Sequence, residues 1–589
     1  MAATGTKLPL SSVPNLARAE SGSRDKTRIL LVALASLACC TILAFLAAIF
    51  WLSFTTGTPG APLVYTFANY LDVYLDPFTY RVLANTVGFV SVMLLVAFLV
   101  GLPLAWLMER SDCPGKPVVF TLITTALLIP GFATALGWIF LLHPRIGLIN
   151  RAAIALFGLD QAPFNISSIL GMGFVEGLSL APITFIMLAA GLRAMDPALE
   201  EAALASGARP LRILTRVTLP ALLPSLLAAL IYVAAIGFAA FDVPAIIGLN
   251  NRIFTFSTYV YQLLTPSEGV PGYGHVASLS LIMLVIALAM STLYRRVQRR
   301  ARAYAVISGK AYQPRLVRLG RGKYVALGLV ALYFTVSQLM PLLMLGWVAG
   351  LPYLQLPSAA AFASLSWTHF RDIPTDLMLR SLSNTAFLML LVPSVTLVLA
   401  AAISWTVLRA RLRVASVYEF LAFLPVTVPH ILFSLAALLL ALFVLRDILP
   451  LYGTIWIILI VNVVGRLSYG TRMTNGALIQ IHGELEEQAQ MAGAGTGRIL
   501  ARVLVPLMAP TLLYAWIWIA LLTYRELTLP VMLSTSETMP FAVLVWGYVQ
   551  ASQYGPASAA SLIMLGVMVP ILLLYWVLAR RVGIAARAG

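Results

Sequence analysis

Paired carboxylates occur in two short polar stretches that lie between long apolar segments. Glu200 and Glu201 form the first pair, and Glu486 and Glu487 form the second pair 286 positions later. No Ser/His/Asp constellation can be identified in the chain, so we predict recognition rather than catalysis: these carboxylates bind basic groups of a partner. Charged loops of this kind cannot lie in lipid, so both stretches must project into water.

Small residues, a glycine and a proline follow each carboxylate pair at the same spacing, with 13 positions from glycine to proline in both copies. In the first copy Asp196 suits a helix N-cap and Gly207 suits a left-handed C-terminal cap, which predicts a short helix over 198–206. In the second copy His482 takes the place of Asp196, so that cap is weaker. The defining positions are Glu200, Glu201, Ala202, Ala203, Gly207 and Pro220, then Glu486, Glu487, Ala489, Gly493 and Pro506.

This pattern resembles the cytoplasmic EAA loop of ATP-binding-cassette (ABC) importer permeases. Its order is Glu-Ala-Ala, three residues, Gly, nine residues, an aliphatic residue, one residue, an aliphatic residue and Pro. The first copy matches the whole pattern, whereas the second departs from it at Gln488. In that family the loop docks in a groove of an ATPase subunit, so the resemblance implies two ABC ATPase subunits as partners. It also implies a periplasmic or surface-tethered solute-binding protein and a bacterial inner (plasma) membrane. ATP and Mg are then expected on the partner subunits, with no cofactor in this chain.

Six polar residues fall within or at the ends of predicted apolar spans: Glu176, Asp242, Asn462, Arg466, Arg525 and Glu526. An ionisable group in a span costs about 2.5–3.5 kcal/mol on insertion scales, so each is a candidate functional residue. These residues either form a polar translocation path for a hydrophilic solute, or pair between helices, with an arginine neutralising Glu526 or Glu176. The sequence leaves both interpretations open.

The composition predicts an all-α polytopic membrane protein, because 60% of the 589 residues are hydrophobic and only 10% are charged. A spanning helix needs roughly 20 apolar residues, and about 12 such helices can be placed in the lipid bilayer. The predicted spans are 29–53, 83–107, 117–142, 168–192, 222–241, 277–293, 324–349, 382–408, 418–445, 452–469, 511–529 and 557–578.

The two halves of the chain are copies in the same orientation. RVLANT at 81–86 recurs as RSLSNT at 380–385, and SLIML at 280–284 recurs at 561–565. We therefore expect two parallel six-helix repeats, which is the type I ABC importer permease fold that the resemblance implies. The predicted organisation is a disordered cytoplasmic tail (1–28), a first transmembrane permease domain (29–294), a basic cytoplasmic linker (295–323), a second transmembrane permease domain (324–579) and a cytoplasmic tail (580–589).

The net charge of +17 does not indicate a nucleic-acid partner, because the basic residues are confined to alternate loops. Roughly 30 of the 39 lysines and arginines fall on one side if the spans alternate, which the positive-inside rule assigns to the cytoplasm. Both termini and both carboxylate stretches are then predicted to be cytoplasmic.

Enzymatic motifs are missing from the sequence. The segment Gly320–Lys323 lacks the earlier glycine and the following Ser or Thr of a phosphate-binding loop. The five histidines have no zinc-ligand spacing. We therefore predict a transport subunit that is not an enzyme, with ATP hydrolysis in separate subunits.

The solute is less constrained than the machinery. A single fused chain with Tyr524-Arg525-Glu526-Leu527 in its eleventh span most resembles ferric-iron permeases, and thiamine and phosphonate permeases are similar. Hard oxygen ligands such as Glu176 and Asp242 suit Fe(III) without selecting it. A rival of another class is an ion-coupled secondary transporter, which gives the two repeated loops no purpose.

Overall fold

The computed structural model describes residues 26–196, 198–266, 269–303, 316–410 and 412–581. Residues 1–25 of the predicted N-terminal tail, 304–315 of the predicted linker and 582–589 of the predicted C-terminal tail lie outside this range. The described residues are almost entirely helical. Their one ladder pairs two short antiparallel strands, β1 (Thr55–Thr56) and β2 (Val64–Tyr65).

Thirteen α-helices are found among the described residues of the first half. They are α1 (Lys26–Ser53), α2 (Ala68–Tyr74), α3 (Pro77–Arg110), α4 (Lys116–Ala126), α5 (Gly131–Leu142), α6 (Leu148–Phe157), α7 (Ile169–Ala194), α8 (Ala198–Ala205), α9 (Pro210–Ile213), α10 (Leu219–Ala239), α11 (Asp242–Gly248), α12 (Phe256–Leu264) and α13 (Tyr273–Ala303).

The described part of the second half contains thirteen more α-helices. They are α14 (Gly322–Phe334), α15 (Met340–Gly350), α16 (Ala359–Ala363), α17 (Thr368–Arg371), α18 (Thr375–Leu408), α19 (Ala415–Phe423), α20 (His430–Leu439), α21 (Ile455–Gln480), α22 (Gly483–Met491), α23 (Thr496–Ile499), α24 (Val505–Tyr524), α25 (Phe541–Gln550) and α26 (Tyr554–Arg581).

The described residues contain nine helices that are long and apolar enough to cross a membrane, or up to eleven if two bent pairs each count as one span. The polytopic helical fold is therefore confirmed, whereas the expected count of twelve is not reached. The twelfth candidate is α21, which has 26 residues and contains residues 455–469 of the predicted span 452–469. It is not among the nine, because Asn462, Arg466 and Arg472 interrupt its apolar run.

Two of the predicted spans are broken rather than continuous. The predicted span 117–142 consists of α4 and α5, which are bent by 92° relative to each other, and the predicted span 418–445 has a bend of 105° before α20. Pro130 and Pro429 stand at the two breaks with extended backbone angles. A proline has no N–H to donate into the preceding turn and disfavours helix in the residue before it, so an otherwise apolar helix ends there.

Each half contributes its first helix to the other half. The first helix, α1, packs against α18 and α20, and α15 packs against α5. The approach of α5 to α15 is close: a Cβ atom on Gly137 would collide with the backbone of Pro341. The two predicted permease domains are therefore interlocked in one bundle rather than packed side by side.

Candidate functional site

Both carboxylate stretches lie at one end of the bundle. This end, called here the loop end, contains the first turn of α1, the last turns of α3 and α18, and the two short helices α8 and α22, called here the loop helices. Arg28 near the start of α1 donates to the carbonyl of Ala410 (3.2 Å), which ties the chain's first span to the end of α18.

The two loop helices end in the same backbone geometry. Gly207 and Gly493 have φ angles of +81° and +78°, the left-handed conformation that a residue with a Cβ atom adopts at a cost. In both copies the residue after this glycine donates its N–H to the carbonyl five residues earlier (3.1 and 3.0 Å). This is a Schellman cap, which satisfies carbonyls that would otherwise lack partners.

The start of α8 also has the expected cap, because the N–H of Ala198 donates to Asp196 Oδ1 at 2.9 Å. At the other side of each loop, Pro220 and Pro506 are the second residues of α10 and α24. A π-helical turn precedes each proline. The proline cannot donate to the usual carbonyl, and the widened turn accommodates this loss inside a continuous helical segment.

An arginine at the end of a long helix holds each loop helix, Arg110 buried and Arg409 partly exposed, and we call the two contacts the arginine clamps. Arg110 Nε lies 2.8 Å from Glu200 Oε2, and Arg409 Nε lies 2.7 Å from Glu486 Oε1. At the end of the span that leads into each loop helix, Arg110 also donates to the carbonyl of Leu192 (2.8 Å), and Arg409 donates to those of Leu478 and Ile481 (3.3 and 3.0 Å). Glu200 and Glu486 therefore bind within the chain instead of being offered to a partner, whereas Glu487 is exposed.

Exposed apolar side chains on the loop helices were missed by the sequence reasoning. Leu199 and Leu204 are exposed on α8, and Leu485 and Met491 are exposed on α22, with Met491 86% exposed. Leu199 and Leu485 occupy equivalent positions of the two copies. This repetition of a leucine in both copies is the sequence signal that could have predicted the exposed apolar groups. Large apolar groups on a short polar loop are typical of a surface that another protein covers.

A cavity of about 210 Å³ lies inside the bundle, between the breaks of the two bent helix pairs. Five of the six polar residues singled out in the sequence line it: Glu176, Asp242, Arg466, Arg525 and Glu526. The sixth, Asn462, does not; its amide donates to the carbonyl of Ile458 in the same helix (2.8 Å).

Arg466 and Glu526 form an ion pair in the wall of the cavity. Arg466 also donates to the carbonyl of Leu522 (3.1 Å), and Glu526 accepts from the N–H of Leu529 (3.1 Å). His430, the first residue of α20, places Nδ1 3.8 Å from Glu526. Of the two interpretations of the charges in the spans, pairing between helices is the one that describes the geometry of Arg466 and Glu526.

Arg525 makes a different contact, although it is the neighbour of Glu526. Its guanidinium donates to the carbonyls of Leu127 (2.6 Å) and Ile129 (3.3 Å), at the break between α4 and α5. These carbonyls are available because the helix stops there. Arg525 thus joins the second half to the broken helix of the first half across the cavity.

Asp242 and Thr528 form a second bridge between the halves. Thr528 Oγ1 donates to Asp242 Oδ1 at 3.2 Å. The two residues are 286 positions apart, the same offset as the repeated loops, so they occupy equivalent places in the two copies. The bridge therefore links like positions of the two halves.

Glu176 is buried in the cavity wall and has no hydrogen bond or ion pair to any other described residue. Gln338, from the π-helical turn between α14 and α15, lines the same cavity and leaves its Oε1 unpartnered among the described residues. The described residues contain no group of three His, Cys, Asp or Glu side chains that would hold a metal ion. His430, Thr528 and Gln338 are cavity residues that the sequence reasoning did not assign.

The model of the family "Binding-protein-dependent transport system inner membrane component" matches residues 101–303 and 397–584, once in each half. The chain is 22% identical over 532 residues to the Fe(3+)-transport system permease protein FbpB 2 of Haemophilus influenzae, covering 87% of this chain and 96% of that protein. A 2-aminoethylphosphonate transport system permease protein, PhnU of Salmonella typhi, is 29% identical over 189 residues, 32% of this chain and 63% of that one. Among solved structures, a bacterial ABC transporter involved in the import of the acidic polysaccharide alginate gives a TM-score of 0.36 at 16% identity, covering 44% of this chain and 94% of that chain.

Proposed function

Because this chain belongs to the family of inner membrane components of binding-protein-dependent transport systems, we propose that it passes ferric iron from an extracytoplasmic binding protein to the cytoplasm. The chain is a fused ABC importer permease, with two family units in one multi-pass membrane protein. It is a transport component, and in our proposal ATP and Mg bind to two separate ABC ATPase subunits.

The repeated loop helices are the observation that carries the coupling part of the proposal. Both have the same left-handed cap, the same arginine clamp and an exposed leucine at the same position. Two equivalent surfaces at one end of the bundle suit two copies of one partner. We assign α8 and α22 each to one ATPase subunit, with Glu201, Ala202 and Ala203 and their counterparts Glu487 and Ala489 near the contact.

The loop end faces the cytoplasm in this proposal. Described basic residues concentrate there, including Lys26, Arg28, Arg212, Arg318 and Arg498. The positive-inside rule places such a cluster on the cytoplasmic side. Both chain termini then belong to the same side, and the binding protein meets the opposite end.

The cavity is the proposed translocation path. ATP binding draws the two loop helices together and opens the cavity toward the binding protein; hydrolysis returns it to the cytoplasmic side. Arg525 and the Asp242–Thr528 bridge connect the halves across the cavity, so both contacts must change when the path opens.

Iron is favoured by the relative and by the oxygen groups of the cavity. The ferric relative is similar over 87% of this chain, whereas the phosphonate relative is similar over 32%. Glu176, Asp242 and Glu526 supply carboxylates, which suit Fe(III) as a passing cargo. Thiamine, a phosphonate or another small polar solute remains the alternative, and Arg466 and Arg525 are the groups that an anionic solute would use.

The test is uptake into liposomes that contain this chain, its ATPase subunits and its binding protein. Ferric iron, thiamine and 2-aminoethylphosphonate are compared at equal concentrations, with ATP enclosed and with ATP omitted. We expect ATP-dependent iron uptake. ATP-dependent uptake of another solute would show that iron is the wrong substrate but that the chain still belongs to an ATP-driven importer. Uptake without ATP that stops when an ion gradient is collapsed would instead identify an ion-coupled secondary transporter.

A further inference from the structure

The two longest helices, α3 and α18, run without interruption from the loop end to the opposite end of the bundle. Each has 34 residues, about 51 Å at 1.5 Å per residue. They are equivalent in the two halves, since they contain the repeated sequences RVLANT and RSLSNT. Each makes specific polar contacts at both ends, and these contacts are also repeated.

At the loop end, each helix terminates in an arginine clamp. Arg110 is the last residue of α3, and its side chain is 4% exposed, against 16% for Glu200. Arg409 follows the last residue of α18 and pairs with Glu486, but its side chain is 25% exposed, so this second clamp is less shielded than the first. A charge-assisted contact shielded from water is stronger and less screened by salt than a surface ion pair. The loop helix is thereby fixed sideways to α3 or α18, in addition to its chain connection to α7 or α21.

At the opposite end of α3, two neighbouring side chains hold the segment that leads into α12. Asn85 donates to the carbonyl of Phe254 (3.1 Å), and Thr86 Oγ1 accepts the N–H of Phe256 (2.9 Å). This segment closely follows α11, which begins at the cavity residue Asp242.

At the opposite end of α18, the same two residue types repeat these contacts. Asn384 donates to the carbonyl of Glu537 (2.9 Å), and Thr385 Oγ1 accepts the N–H of Phe541 (2.8 Å). The segment they hold follows Glu526, which lines the cavity. In both halves one continuous helix therefore links a loop helix to the backbone just beyond the cavity.

The packing of α3 is close enough for it to move as a solid part. Gly173 and Gly177 of α7 face it, and a Cβ atom on either would lie 2.7 or 2.6 Å from Val92 or Val96 of α3. Such contacts between small residues and a neighbouring helix leave no room for sliding. Although Pro103 lies between Arg110 and these contacts, α3 continues through it as one helix, so a displacement applied at Arg110 should reach Val96 and Val92.

We propose that Arg110 and Arg409 are positioning residues for coupling, which make α3 and α18 the rods that carry movement of the loop helices to the cavity. The inference rests on the proposed docking of ATPase subunits on α8 and α22. Without its clamp, each loop helix keeps its two chain ends and weaker contacts such as the Thr218–Glu200 hydrogen bond or the packing of Ala489, so part of its displacement is lost before it reaches Asp242 or Glu526.

The test uses the complete transporter with its ATPase subunits and binding protein, and compares Arg110→Gln, Arg409→Gln and the double variant with the unaltered chain. Uptake, ATP hydrolysis and the amount of ATPase subunit that copurifies are measured together. Coupling free energies between sites typically correspond to about 5–150-fold effects. We expect each variant to lower the solute imported per ATP hydrolysed at least about fivefold, while the ATPase subunits still copurify.

The matched control is Arg193→Gln. Arg193 of α7 pairs with Glu109 of α3 at 2.7 Å near the same end of the bundle, but it is 58% exposed and the pair does not include a loop helix. Its loss should leave the import ratio unchanged. An equal fall in the import ratio of this control would overturn the inference, because the loss of any ion pair at the loop end would then be enough to weaken coupling.

A second pair of variants separates coupling from folding. Glu200→Gln should reproduce the lowered import ratio of Arg110→Gln, and the combination should add nothing further, because both changes break the same ion pair and a glutamine at 200 can still accept the hydrogen bond from Thr218 Oγ1 (2.7 Å). A ratio per ATP is insensitive to how much protein folds. If Glu200→Gln and Arg409→Gln both import as much solute per ATP as the unaltered chain while the ATPase subunits stay bound, the role of α3 and α18 as rods is refuted and the proposed function stands. Failure of the unaltered chain to retain ATPase subunits would refute the proposed function instead.

Discussion

The two arginines of the cavity hold different kinds of group. Arg466 neutralises the carboxylate of Glu526, whereas Arg525 binds the carbonyls of Leu127 and Ile129 at a helix break. Removing Arg466 therefore strands a buried negative charge, while removing Arg525 leaves neutral acceptors without a donor. The energetic consequences differ, because an uncompensated buried charge is the costlier of the two.

At this scale we predict that Arg466→Leu lowers the free energy of unfolding by about 3–5 kcal/mol, the usual cost of breaking one side of a buried ion pair. The measurement is unfolding of the purified chain in mixed detergent micelles.

The first half of the molecule provides the matched control for this variant. Leu180 and Ala240 occupy the positions that correspond to Arg466 and Glu526. The double variant Arg466→Leu/Glu526→Ala copies that apolar pair and should recover most of the lost stability. A double variant as unstable as the single one would contradict the assignment of the cost to the stranded carboxylate.

At the scale of elements, the sequence predicts local features well and long-range ones poorly. The cap at Gly207 follows from residues within a few positions of each other, and the structure has the left-handed angle. The break at Pro130 falls inside one predicted span, because the residues on both sides are apolar and composition does not show a bend. The clamp between Arg110 and Glu200 joins residues 90 positions apart and has no local signature.

The cavity shows the same limit. Five of its polar residues were identifiable because charge inside an apolar span is unusual. Their partners were not, since Arg525 binds backbone carbonyls nearly 400 positions away, and carbonyls leave no trace in a sequence. Gln338 was missed because it enters the cavity from α14–α15, a helix of the second half that packs on the first.

The second prediction concerns the caps of the loop helices. Gly207→Val and Gly493→Val should each lower solute uptake while membrane insertion stays normal. No atom lies within 4 Å of an added Cβ at either glycine, so the substitution does not collide with a neighbour. Its cost is conformational, about 1–2 kcal/mol for a left-handed residue, and it displaces the end of the loop helix. Uptake and ATP hydrolysis are measured in parallel, and hydrolysis is expected to continue.

Gly476→Val serves as the control for that pair. Gly476 also has open space around its Cβ position, but it lies inside α21 without a positive φ angle. Valine is no less favourable than glycine in a helix interior, so this substitution should not weaken α21 through its backbone. Equal losses of uptake at all three glycines would argue against a special role of the left-handed cap, as would full uptake in both cap variants.

Considered as a whole, the molecule is a duplication whose halves have diverged at the cavity. Every described positive or histidine group of the cavity comes from the second half: His430, Arg466 and Arg525. Their counterparts in the first half are Gly131, Leu180 and Ala239. The loop end, by contrast, keeps the cap and the clamp in both halves. Two equivalent surfaces suit two identical ATPase subunits, whereas the single cavity needs only one set of polar groups.

The last prediction follows from the exchange of first helices between the halves. A chain divided at residue 310 and produced as two fragments should assemble in the membrane, because α1 packs on α18 and α20 and α15 packs on α5. We expect an affinity tag on one fragment to recover the other after detergent extraction, and the assembled pair to import solute. The control is Gly137→Val in the first fragment, which drives a side chain into the backbone of Pro341 and should reduce the recovered partner. Fragments that both insert but never copurify would show that the interlocked packing does not hold the halves together. If the Gly137→Val pair copurifies normally, the contact between α5 and α15 is not what holds the halves together.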